Sequence, residues 1–92
     1  MEEKFSFGKR LKEYREAKGL SQAEFGKLIE KSMTSVYGYE KNQMIPTFDV
    51  LCKMTTVLGV EIEDLLGLER GAIEDDMELY MVFAKRFQER RR

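Results

Sequence analysis

The 92 residues, 42% of them hydrophobic, suffice for one compact core and are too few for two ordinary domains. With 16 Lys and Arg against 17 Asp and Glu, the net charge of −1 names no partner by itself, so the placement of the charges has to be read. A single cysteine excludes an internal disulfide, and the absence of histidine removes the commonest metal ligand and general base. The first helix is expected around Phe7, Leu11 and Tyr14, ending near Lys18 with Gly19 as a left-handed cap. Basic residues crowd it: Lys4, Lys9, Arg10, Lys12, Arg15 and Lys18. Leu20 turns the chain inward. The second helix runs from about Gln22 to Ile29, opened by Ser21 and Glu24 at capping-box spacing, with Phe25, Leu28 and Ile29 as its apolar stripe. The third runs from about Met33 to Lys41 behind the cap Ser32, with Val36 and Tyr39 inward, and Met33, Thr34, Tyr37 and Gly38 outward. Asn42 then suits a positive φ. After Pro46, Thr47 caps a fourth helix that buries Val50, Leu51, Met54 and Leu58 and closes at Gly59; Cys52 on it is expected to be a buried, reduced thiol. A fifth, EIEDLL, returns Ile62, Leu65 and Leu66 to the core, and Gly67 to Gly71 reads as a hinge.

The last segment places Ile73, Met77, Tyr80, Ala84 and Phe87 at spacings of four and three, a heptad seam broadened by Leu79, Val82 and Phe83. Dimerisation through it is the favoured reading; packing wholly inside the monomer is the alternative. Its basic tail, KRFQERRR, complements the helix dipole, solvates that end or touches DNA. No run alternates with period two, so the fold class expected is all-α. Neither a signal peptide nor an apolar run of membrane-spanning length occurs, so a cytoplasmic protein, neither exported nor membrane-embedded, is expected.

The stretch from Ser21 to Asn42 carries the functional signal. Its two short helices are joined by too few residues for an ordinary loop, the outline of a helix-turn-helix, and an outward face of small and polar side chains can enter a major groove. From Phe7 to Leu66 the chain resembles the Cro/cI-type, or XRE, helix-turn-helix family. The residues that carry this are FGKRLKEYREAKGLSQAEFGKLI, Ser32, Val36, Tyr39-Glu40, Pro46 and VLCKMTTVLGVEIEDLL, in one order and at family spacing. The resemblance implies a five-helix, lambda-repressor-like DNA-binding domain over residues 5–67; the heptad seam adds to it a C-terminal helix over 72–91 as the dimerisation element. It further implies a homodimeric transcriptional regulator, more a repressor than an activator, whose recognition helices enter double-stranded DNA about 34 Å apart on a palindromic operator.

By the same resemblance Ser21 and Gln22 hold a phosphate, Met33, Thr34, Tyr37 and Gly38 reach base edges with Ser32 and Ser35 beside them, and Lys41, Asn42 and Gln43 follow the backbone. As plain structure, Ser21 is a cap and Gln22 an exposed helix residue. None of the four outward residues is of the bidentate kind; Met33 and the Thr34 methyl suit thymine methyls, and the Thr34 and Tyr37 hydroxyls suit single hydrogen bonds, so specificity is expected to be modest. Gly38 either brings the helix closer to the backbone or reads nothing. In the turn, Glu30-Lys31 replaces the family's glycine and aliphatic residue, at a cost of about 1 kcal/mol for a non-glycine residue at positive φ. Lys31 is expected to lay its stem over the core with its ammonium near a phosphate. Gly26 replaces the usual alanine, keeping helices two and three close. Arg15 and Glu40 match a pair that bridges helices one and three.

An enzyme is not expected: there is no histidine, cysteine pair, phosphate-cradling glycine loop or carboxylate pair in an apolar pocket, and Asp75-Asp76 reads as acids at a helix start. No metal or cofactor is implied. The competing reading is a protein-interaction module on the same scaffold, or an antitoxin-like regulator that binds DNA and a protein partner through its C-terminal helix.

Overall fold

A computed structural model of the protein describes residues 6–90, with side chains through Glu89. Lys4 and the expected outer boundaries at Phe5 and Arg91 lie outside the described residues. Six helices follow in order: α1 (Phe7–Ala17), α2 (Gln22–Ile29), α3 (Met33–Glu40), α4 (Phe48–Leu58), α5 (Ile62–Leu66) and α6 (Asp76–Arg90). The described chain is all-helical, as composition and periodicity anticipate.

Four of the starts have a local cause in a hydroxyl cap. The hydroxyls of Ser6, Ser21, Ser32 and Thr47 accept the amide three residues on, from Lys9, Glu24, Ser35 and Val50, satisfying donors that a helix leaves unpaired. Glu24 answers Ser21 by accepting the Ser21 amide at 2.8 Å, completing the capping box. Two stops also match expectation, Gly19 (φ 73°) just after α1 and Gly59 (φ 69°) at the end of α4, both left-handed; Gly67 (φ 75°), read in the sequence as the start of a hinge, ends α5 in the same way.

The apolar stripes converge on one core that includes Leu11, Phe25, Ile29, Val36, Leu51 and Leu65, all fully buried. Leu28 departs from the expected stripe. It is 53% exposed, since the three-residue step from Phe25 leaves it at the edge of the face that Phe25 and Ile29 bury. Cys52 is only partly buried, beside Leu28; desolvation first, then the Asp76 and Asp49 carboxylates, raise its thiol pKa, so it stays protonated and unreactive at neutral pH.

α6 joins the same core. Leu79, Phe83 and Phe87 are buried, the Phe83 ring lies 5.1 Å from that of Phe7, and Tyr80 packs edge-on to Phe48 while its hydroxyl donates to the Pro46 carbonyl at 2.7 Å. Three residues of the expected dimer seam are therefore turned homeward: Phe87 is buried, and Ile73 and Tyr80 pack on the core. The physical reason is the width of the apolar face: its Leu79–Phe83–Phe87 side is the one buried, with Phe83 against Phe7 of α1, which also carries Tyr80 toward the core, while Ile73 packs there from the segment before the helix.

Candidate nucleic-acid interface

The tight connection between α2 and α3 is built by backbone contact. Glu30 ends α2 at φ 62°, ψ 42°, the left-handed conformation expected of it, and the Lys31 amide reaches back to the Gly26 carbonyl at 2.7 Å. A Cβ on Gly26 would stand 2.5 Å from the Lys31 carbonyl oxygen, so glycine is required there by the turn itself as well as by the approach of the two helices. Lys31 is exposed. Replacing Glu30 with glycine removes the left-handed strain and loses only the exposed pair between Glu30 and Lys53. Thermal melts of Glu30→Gly are expected to rise by about 3 °C; an unchanged or lower midpoint would show that the turn carries no strain.

Behind α3, Val36 and Tyr39 are buried, and in front Met33 (56% exposed), Thr34 and Tyr37 (47%) face solvent with Ser35 half-exposed. Ser32, itself exposed, hydrogen-bonds the Ser35 amide and hydroxyl, so the two hydroxyls at the start of α3 are held as a pair. The Lys41 ammonium sits 5.6 Å from the centre of the Tyr37 ring, a cation–π contact that orients both outward side chains.

Gly38 corrects the expectation that it faces a groove. It is buried beneath Met44, whose sulfur would lie 2.8 Å from a Cβ there; its carbonyl accepts both the Gln43 and Met44 amides. The missing side chain makes room for the loop after α3, a neighbour that helical spacing does not show. Asn42 is a second correction to the outward set. It adopts the expected positive φ of 59°, but its side chain points into the fold, where Oδ1 accepts the Gly8 amide at 2.9 Å and Nδ2 donates to the Ser6 hydroxyl at 3.2 Å. Asn42 thus completes the N-terminal capping of α1. Gln43 remains exposed beside Lys41.

The scaffold holding α3 rests on a buried charge. Arg15 donates to Glu40 in bidentate fashion, Nε to Oε2 at 2.5 Å and Nη2 to Oε1 at 3.1 Å, with the two side chains 7% and 3% exposed. Arg15 Nη1 also donates to the Leu20 carbonyl at 2.7 Å, and the Glu40 hydrogen bond is the main cause of a guanidinium pKa raised still further. Gln22 adds a third donor to the carboxylate, Nε2 to Oε1 at 3.0 Å, tying α2 into the pair. Its other amide hydrogen and the backbone amides of Gln22 and Ala23, which have no preceding carbonyl in the helix, stay available near exposed Ser21, the Glu24 amide being taken by the Ser21 hydroxyl.

Gly8 is the residue that sequence reasoning missed. A Cβ there would stand 2.1 Å from the Glu40 carbonyl oxygen and 2.9 Å from that of Tyr39, so α1 crosses the end of α3 backbone to backbone. A lone glycine inside a helical pattern is its only signal.

Among the described residues no group of side chains is arranged to hold a metal ion and no helix is long and apolar enough to cross a membrane. A family model described as helix-turn-helix matches residues 11–65, more than half of the chain. The curated HTH-type transcriptional regulator ImmR of Bacillus subtilis (strain 168) is 30% identical over 74 residues, which are 80% of this chain and 58% of that protein, so the chain spans little more than half the length of this relative. Among solved structures, the restriction-modification controller protein C.AhdI from Aeromonas hydrophila is 35% identical with a TM-score of 0.62, over 68% of this chain and 91% of that one. A complex of the proteins SinR and SinI contains a chain 26% identical with a TM-score of 0.63, over 90% of this chain and 88% of that one. By sequence, by fold and by the braced pair α2–α3, the chain belongs to the XRE-type helix-turn-helix family of transcriptional regulators.

Proposed function

We propose that this protein is a sequence-specific DNA-binding transcriptional regulator, a repressor that works in the cytoplasm as a homodimer on a palindromic operator. The observation that carries the reading is the presentation of α3: its rear is locked by Val36, Tyr39 and the Arg15–Glu40 pair while Met33, Thr34, Ser35 and Tyr37 stand in solvent. Those four reach the base edges, chiefly through methyl contacts and single hydrogen bonds. Ser21 and Gln22 at the start of α2, Ser32 and Lys31 in the turn, and Lys41 and Gln43 after α3 hold phosphates. Asn42 serves indirectly, by capping α1 against the same loop. Regulator relatives support the role.

A fluorescent duplex recovered by selection from a random pool, titrated with the full chain at two salt concentrations, tests it. Affinity is expected to fall by roughly 10³-fold or more between about 50 and 200 mM salt, as release of counterions from six or more phosphates requires. Failure to enrich any sequence, with no binding at low salt, would favour the second reading, a scaffold that binds another protein. The fold neighbour solved as a complex of two proteins is the observation on its side.

A further inference from the structure

α6 carries two stripes. Leu79, Phe83 and Phe87, four residues apart, are spent on the protein's own core. Roughly a third of the way around the helix, at the 3.6-residue period, come Met77, Met81, Ala84 and Gln88. Met77 is 46% and Met81 64% exposed, Gln88 is exposed and Ala84 half-buried. Their spacing of four, three and four is that of a coiled-coil seam, and it keeps Met77 and Ala84 from the seam read in the sequence while replacing the residues that fold inward. We propose that this stripe pairs antiparallel with the same stripe of a second copy of the chain. The inference rests on the homodimer reading and specifies its interface.

Charge complementarity selects both occupant and direction. Glu78 and Lys85 flank the stripe on its solvent side; both are exposed and have no ion-pair partner among the described residues. They are seven residues apart and hold equivalent positions beside the seam. In an antiparallel pair, equivalent flanks face each other, so Glu78 meets the partner subunit's Lys85 and, by the two-fold axis, Lys85 meets the partner subunit's Glu78. A parallel pair would set this flank against the other one, where Tyr80 and Phe87 are already committed to the core. The seam is short, and two heptads of free peptide would hardly associate because each chain must first become helical. Here that ordering is complete before association, since the buried stripe holds α6 in place.

Sedimentation equilibrium of the full chain without DNA reads this directly. The wild type is expected to be a dimer, and Met81→Glu, at a position already in solvent, to raise the dissociation constant more than about tenfold with the helical circular-dichroism signal unchanged. Glu78→Lys or Lys85→Glu alone sets like charges opposite each other twice per dimer and is expected to weaken it by about tenfold, whereas the double substitution restores it. A dimer indifferent to Met81→Glu, or a charge swap without restoration, overturns this interface and leaves the homodimer standing on another surface. A monomeric wild type overturns both, while the salt titration above still decides DNA binding separately.

Discussion

Gly8→Ala is expected to destabilise the protein by about 3 kcal/mol, against a helix propensity that alone forecasts a gain of about 1 kcal/mol. The opposition of sign makes the measurement decisive. The added methyl would sit 2.1 Å from one backbone oxygen and 2.9 Å from a second at the end of α3, and neither can move away like the tip of a side chain. Relief requires α1 to lift, which also pulls the Gly8 amide from Asn42 and loosens the Phe7–Phe83 contact that docks α6. For a domain of this size the midpoint of thermal unfolding should fall by roughly 12 °C or more. A melt at or above the wild-type temperature would show that α1 and α3 do not touch in this way.

Glu40→Met is expected to cost roughly 3 to 5 kcal/mol, because it strands the buried Arg15 guanidinium with only the Leu20 carbonyl as acceptor and leaves Gln22 without its partner. Set against a total stability of about 5–15 kcal/mol, that brings the fold near its limit. The double substitution Arg15→Met/Glu40→Met should recover most of the loss, since two apolar side chains of similar volume need no mutual neutralisation. Chemical denaturation of the two singles and the double closes a thermodynamic cycle, and the expected coupling is well above 1 kcal/mol. Additive losses would mean the two charges are solvated independently.

These expectations show unevenly in the sequence. The Arg15–Glu40 pair is legible there through the family resemblance, which names the partners, although the third donor from Gln22 is not. The positive φ of Glu30 and Asn42 follows from turn chemistry, whose rules are local. Gly8, Gly26 and Gly38 are hidden in different degrees: all three answer contacts from elsewhere in the chain, respectively the Glu40 carbonyl, the Lys31 carbonyl and the Met44 side chain. Periodicity treats a glycine as a weak helix position and does not report what presses on it.

Helix number, the starts of α1 to α4, the all-α class and the outward set Met33, Thr34 and Tyr37 belong to the sequence alone; the last helix, expected from residue 72, begins only at Asp76 and leaves Ile73 before it. Capping and the 3.6-residue stripe act within a few residues, so nothing distant has to be known to read them. The tertiary structure decided which of two overlapping stripes on α6 is buried, that Asn42 caps α1 instead of facing outward, and that Gly38 lies under Met44. Each of those is settled by partners brought together only when the chain folds, and a side chain with two locally acceptable orientations takes the one its distant neighbour fills.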